Sequence, residues 1–447
     1  MNNSSTVAMI SLGCPKNLVN SEEMLALLQD AGYAFTDDLA KADAVIINTC
    51  AFIESAKTEA IEKILETASY REENPELKII VSGCLAQRYA DDIRAELPEV
   101  DGIMGTGSYS EVVSVVEAVL AGDKPTRRGA ISAPLYDTPR AVSTGPNWAY
   151  LRIAEGCDNR CTYCAIPLIR GGFRSRPIED LVKEAKELES IGVKELNLIA
   201  QDTTRYGLDL YGEYRLPELI RAICEATAIP WIRILYCYPD KITDELISEI
   251  KNNDRVVKYI DLPIQHINDR VLSAMNRHGD SAMIKAVVEK LRREIPDICL
   301  RTTVIVGFPG ETEEEFNELC EYVAQTEFDR LGAFTYSREE DTPAYDFEDQ
   351  IDEQTKQDRY DIIMREQLHI AERKNQAFVG KRMTVLCEAY DAVAEIYYGR
   401  SAYDAPDIDT KVYFRNALGK KRIAPGTFVE VDIEEAVDYD LIGKAVV

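Results

Sequence analysis

Residues 149–164 read AYLRIAEGCDNRCTYC, an apolar run that ends at a glycine and is followed by three cysteines, Cys157, Cys161 and Cys164. The run has the length and composition of a strand, and the cysteines, four and three positions apart, fall on the loop beyond it. Five more strand candidates follow: ELNLIAQD (195–202), WIRILYCY (231–238), YIDLPIQH (259–266), LRTTVIVGF (300–308) and LGAFTYS (331–337). Helical stretches such as EDLVKEAKELESIG (179–192) and DELISEIKNN (244–253) lie between them. Six such βα units predict an open six-fold partial barrel over residues 147–375, with the loops after the strands as its reaction face.

Upstream, over residues 1–122, short apolar runs again alternate with helical stretches: VAMISL (7–12), DAVIINT (43–49) and KIIVSG (78–83). This alternation predicts a parallel-sheet α/β domain. Residues 123–146, rich in Pro, Thr, Ser and Gly, read as a linker. Over residues 376–447 the pattern changes to two-residue alternation in MTVLCEAY, AEIYYGR, KVYFRN and TFVEVDIEEAV, which predicts a small β-barrel. The fold class expected is therefore α/β and multidomain.

The first residues carry neither a basic region nor an unbroken apolar stretch, so no secretory signal is expected. No run approaches the ~18 apolar residues of a membrane span. The chain reads as cytoplasmic, and eleven cysteines in a reducing compartment point to metal binding or catalysis before disulfides. Cys224, Cys237, Cys299, Cys320 and Cys387 sit singly inside apolar runs and read as core filler. The formal charge of −27, from 78 acidic and 51 basic residues, disfavours a phosphate-backbone partner and decides nothing alone.

A structural zinc site takes four N or S ligands, and nothing near Cys157, Cys161 and Cys164 supplies a fourth; the nearest histidine is His266. An iron–sulfur core takes one thiolate per iron, so three cysteines leave one iron open to a small molecule. A zinc site with a remote ligand, or three unrelated thiols, are the alternatives. A second set, Cys14, Cys50 and Cys84, directly follows three strand candidates, two of its members preceded by Gly13 and Gly83. Neighbouring parallel strands end side by side, so these three thiols are expected in one crevice.

Spacing CxxxCxxC at the mouth of a βα barrel resembles the radical S-adenosylmethionine (SAM) enzymes. With the second triplet and the all-β tail, the whole chain resembles their methylthiotransferase branch, whose tail is a TRAM domain. That resemblance implies two [4Fe-4S] clusters, one on each triplet, facing each other across an interdomain gap. It also implies SAM on the barrel cluster, cleaved by one electron to a 5′-deoxyadenosyl radical. Gln201 and Asp202 end the second barrel strand, and Gly307 and Gly310 in VGFPGE end the fifth; all four fit SAM binding by position, the glycines equally as plain turn residues. Tyr163 is expected to pack on the cofactor. Arg170, Arg174 and Arg176 read either as anion holders or as surface partners of Glu179 and Asp180. The chemistry implied, at an unactivated C–H bond, gives His266, His278 and His369 no role as bases.

SLGCPKNLVNSEEM, NTCAFIESAK, SGCLAQRY and RIAEGCDNRCTYCAIPLIRGGFRSR are similar to branch members that methylthiolate an aspartate of ribosomal protein S-twelve. The sister tRNA enzymes usually read GCQMN where this chain has GCPKN. Two departures are Asn20, where those relatives carry Asp, and Asp341, before TPA, where glycine is common. The tail has nine basic and twelve acidic residues, and EVDIEEAVDYD (430–440) suits a basic protein partner better than RNA. The KKR at 420–422 argues the other way. A reducing protein such as a flavodoxin is the expected electron donor.

Overall fold

The computed structural model describes residues 5–446 except 134, 136, 137, 146, 418, 420 and 421. Lys420 and Lys421, the basic pair weighed above, lie outside the described residues. The chain forms two compact units. The first is Met1–Ser143, Glu155–Arg174 and Ser337–Tyr345; the second is Thr144–Ala154, Ser175–Tyr336 and Asp346–Val447.

The first unit is built on a parallel sheet in the order Ala34–Phe35, Thr6–Ser11, Ala44–Thr49, Lys78–Gly83, Gly102–Gly105 and Thr126–Arg127. Its inner strands Ala44–Thr49, Lys78–Gly83 and Gly102–Gly105 are buried on both faces, which is why they read as continuous apolar runs, whereas the edge strands Ala34–Phe35 and Thr126–Arg127 are exposed. Val45, Ile47, Ile79 and Val81 point to one layer with Ile64, Leu85 and Ile93, while Ile46 and Ile80 point to the other with Met24, Leu28 and Val116. Ala165 and Ile169 join the first of these cores. They lie just after the CxxxCxxC stretch, Ile169 within the short helix Ile166–Arg170. Burial of these two side chains ties the cysteine loop into this unit.

The second unit holds six parallel strands paired in chain order: Trp148–Arg152, Glu195–Ile199, Trp231–Ile234, Val256–Asp261, Cys299–Val306 and Arg330–Thr335. This is the expected open (βα)6 sheet. The tail closes a five-stranded barrel around Val385, Cys387, Phe414, Val431 and Ile433. Its residues meet the amino ends of the six strands through buried charges. Glu195, fully buried, lies 2.7 Å from Arg233 and 2.7 Å from Arg400 of the tail. Arg330 lies 2.6 Å from Asp404, Arg301 lies 3.3 Å from Asp409, and the Tyr259 hydroxyl donates to Asp409 at 2.6 Å.

Of the lone cysteines, Cys237, Cys299 and Cys387 are buried as expected, whereas Cys224 and Cys320 are only half-buried. Among the described residues, no helix is long and apolar enough to cross a membrane.

Candidate functional site

The strand carboxyl ends of the first unit set up the first cysteine group. Cys14 caps the helix Pro15–Asp30, and Cys84 opens the helix Cys84–Glu96, so both thiols sit where backbone N–H groups and the helix dipole favour an anion. Gly13 and Gly83 have positive φ, +87° and +93°, and neither has room for a side chain. A Cβ on Gly13 would lie 2.7 Å from that of Cys50, and one on Gly83 would lie 2.4 Å from the Asn48 amide oxygen. Burial pushes the Cys50 thiol up to about 12, with the charges of Cys84 and Cys14 adding to it. Burial likewise raises Cys84, against the opposing charge of Arg170. The three thiols thus share one neighbourhood, as the strand order requires.

Two asparagines that the sequence reading passed over hold this neighbourhood together. Asn17 donates to the Leu12 and Thr49 carbonyls at 3.0 and 2.9 Å, and its own carbonyl receives the amide of Asn48 at 2.8 Å. Its side-chain oxygen accepts from Cys84 Sγ at 3.6 Å and from Arg170 at 2.5 Å. The available signal was the Asn that closes GCPKN, three residues after the cysteine and one helical turn below it.

The second group lies on a loop fixed by backbone contacts. Gly156, φ +77°, has the Gly172 carbonyl 2.0 Å from where a Cβ would sit. The Cys157 N–H donates to the Gly171 carbonyl, and the Cys164 N–H to that of Cys161, each at 3.1 Å. Cys161 is buried, while Cys157, Cys164 and Tyr163 are half-buried. Asp341, also in this unit, has φ +62°, the left-handed backbone that explains a glycine preference there. The Ala344 N–H, three residues on, reaches the Thr162 carbonyl at 2.9 Å.

Both cysteine groups therefore belong to a single compact unit, not to two units separated by a gap. The reason is the packing of Ala165 and Ile169. Among the described residues, no three His, Cys, Asp or Glu side chains close on a point for a single metal ion. A zinc ion would draw its thiolates to about 2.3 Å; a cuboidal iron–sulfur core is larger and takes them one per iron. All-thiol donors are the set such a core selects.

In the second unit, Asp202 is fully buried, accepts from Thr204 at 2.5 Å and pairs with Arg205 at 3.2 Å; Gln201 beside it is half-buried. At Gly307 a Cβ would meet the Lys356 side chain at 2.4 Å, so this glycine admits the helix Glu353–Gln376, as a turn residue would. Gly310 has φ +74°, and a Cβ there would only touch Arg270 and Asp349, each at 3.7 Å. Arg170 and Arg176 are not surface residues: both are buried, paired with Glu155 at 2.8 Å and Glu184 at 2.5 Å respectively, and neither with Glu179 nor Asp180. Asp404 and Asp409 of the tail hold the barrel arginines, so those two acids are not part of a docking face; Glu434, Glu435 and Asp438 are exposed.

His266 is fully buried, accepts the Asn268 N–H at 3.0 Å and lies 3.7 Å from Glu311. Burial lowers it to about 4; the charge of Glu315 opposes this shift and those of Arg270 and Arg359 reinforce it. The unfolded chain protonates this histidine first, so its stabilisation is complete above pH 6.5 and is lost as pH falls toward 4. The loss amounts to about 3 kcal/mol. Urea titrations between pH 7 and 4 should show a flatter curve for His266→Gln than for the parent; parallel curves would contradict a neutral buried imidazole.

Family models match along the chain: "Uncharacterized protein family UPF0004" over residues 6–105, "Radical SAM superfamily" over 151–323 and "TRAM domain" over 379–446. The chain is 49% identical to the ribosomal protein uS12 methylthiotransferase RimO of Acetivibrio thermocellus, with 98% of each chain covered. It is also 49% identical to that of Desulforamulus reducens, covering 98% of this chain and 99% of the relative. In fold it is similar to the radical SAM methyltransferase TsrM of Kitasatospora setae, with TM-score 0.56 at 14% identity and 76% and 77% of the two chains covered. The cobalamin-dependent enzyme OxsB gives TM-score 0.52 at 12% identity, over 81% of this chain and 56% of that one.

Proposed function

The chain belongs to the RimO family of ribosomal protein uS12 methylthiotransferases, and from that membership we propose that it adds a methylthio group to the β-carbon of an aspartate in uS12, giving 3-methylthioaspartate. It is a radical SAM enzyme that uses an iron–sulfur cluster and SAM. The observation that carries the reading is near-complete coverage by relatives of one name at 49% identity, with Cys14, Cys50 and Cys84 inside the family match over 6–105 and Cys157, Cys161 and Cys164 inside that over 151–323.

Cys157, Cys161 and Cys164 hold one [4Fe-4S] cluster in this proposal, and Cys14, Cys50 and Cys84 hold a second. The thiol-only donors, the helix starts behind Cys14 and Cys84, and the glycines that leave no room for a side chain all support it. Gln201, Asp202, Gly307, Gly310 and Tyr163 are the residues assigned to the SAM surroundings. When bound, the cluster and SAM supply a carbon radical able to take a hydrogen atom from an unactivated C–H bond. The protein's part is to fix the thiolates and shelter them from water. An electron-donating protein such as a flavodoxin and a cytoplasmic setting complete the proposal, and the tail's exposed Glu434, Glu435 and Asp438 favour a basic protein over RNA as the partner there.

The test is incubation of reconstituted enzyme with SAM and reductant, and with either uS12 or tRNA, followed by mass spectrometry. A gain of SCH₂ on a uS12 aspartate is expected. The same gain on tRNA, with uS12 unchanged, would overturn the substrate.

A further inference from the structure

One cation is buried against the first cysteine group. Arg170 is 3% exposed. Its Nη1 donates to Glu155 at 2.8 Å and to the Asn20 side-chain oxygen at 2.9 Å. Its Nη2 donates to Asn17 at 2.5 Å and lies 3.8 Å from Cys84 Sγ. Glu155 is the one formally charged group among these acceptors, since both asparagines are neutral. The following residue, Gly171, offers its carbonyl to the Cys157 N–H. A single dipeptide thus touches both cysteine groups.

An ion pair with Glu155 would by itself explain a buried arginine only in part. Two further donors of the guanidinium fork engage Asn17 and Asn20 on the helix that Cys14 caps, which holds the planar group facing Cys84. Reduction adds an electron to a thiolate-bound core, and a nearby cation in a sheltered site favours the more negative state.

We propose that Arg170 is a positioning residue for the cluster on Cys14, Cys50 and Cys84, and that its buried positive charge raises the reduction potential of that cluster. The proposal rests on the reading of those three cysteines as ligands. Helix starts and the Phe52 N–H near Cys50 act in the same sense but remain in every variant below.

The experiment uses the full chain with Cys157, Cys161 and Cys164 changed to alanine, so that only the first group can load. Iron assay and an EPR-monitored redox titration are the readouts. Asn20→Asp places a carboxylate where the Arg170 fork already points, without touching a cysteine. Arg170→Gln removes the charge, and Arg170→Lys keeps it. At a fixed poise the ratio of reduced to oxidised cluster should fall at least ten-fold, about 59 mV for one electron, in Asn20→Asp and Arg170→Gln, with iron content retained. Arg170→Lys should stay close to the parent. Should Arg170→Gln fail to fold because Glu155 is left alone, Asn20→Asp decides. A potential unmoved by Asn20→Asp overturns the proposal, including the case in which Arg170 variants merely lose iron. Absence of iron in the parent background overturns instead the ligand reading beneath it.

Discussion

Changing Cys14, Cys50 and Cys84 together to alanine should halve the iron of the reconstituted enzyme and abolish methylthio transfer to uS12. The proposed pair of cuboidal clusters would hold about eight irons per chain, so either triple variant should retain about four. The fold should survive, because these thiols stand at strand ends and helix starts and only Cys84 of the three joins the sheet's otherwise aliphatic core. The variant should still cleave SAM when reduced, since Cys157, Cys161 and Cys164 are intact, and this separates it from the Cys157/Cys161/Cys164 variant, which should not. Iron measured by colorimetric assay and 5′-deoxyadenosine measured by chromatography distinguish the two. An iron content unchanged by loss of the first triplet would leave the second cluster without a site.

The second large effect falls on stability. Glu195→Ala leaves Arg233 and Arg400 buried without their shared carboxylate: Arg400 keeps Glu388 at 2.6 Å and the Asp404 carbonyl at 2.9 Å, and Arg233 keeps carbonyls of Ala402 and Ser401. Burial works against the charged carboxyl, yet the two guanidiniums hold Glu195 below its ordinary range, so the native site is ionised. Removing one member of such a buried set costs about 3–5 kcal/mol, a large share of the 5–15 kcal/mol typical of a domain. Denaturant midpoints would register it, together with a proteolytic cut between barrel and tail. Replacing all three residues by apolar ones of similar volume should recover much of the loss. A midpoint unchanged by Glu195→Ala would mean that water already reaches the seam.

These two effects differ in how visible they were in the sequence. The strands were plain, because residues such as Val45, Ile46 and Ile47 are buried on both faces of a parallel sheet and so read as unbroken apolar runs. The first cysteine group followed from them: once the strands pair in order, Cys14, Cys50 and Cys84 have nowhere else to go. Glu195, Arg233 and Arg400 were opaque, since charged side chains read as solvated and Arg400 lies 205 positions from its partner. The placement of the CxxxCxxC loop was hidden for another reason. Of the apolar residues in and beside the five-residue helix, only Ala165 and Ile169 are buried, and the stretch is too short for any periodicity to register. Arg170 suffered from both: it was read either as an anion holder or as a surface partner of Glu179 and Asp180, and its partners Asn17 and Asn20 lie in another segment of the chain.

The charged seam also sets a length. Glu195 meets the tail at the first residue of a five-residue strand whose other end leads to Gln201. Five residues of parallel strand span about 17 Å. The seam therefore holds Arg400 of the tail about that far from the other end of this strand and resists any swing that would shorten the distance.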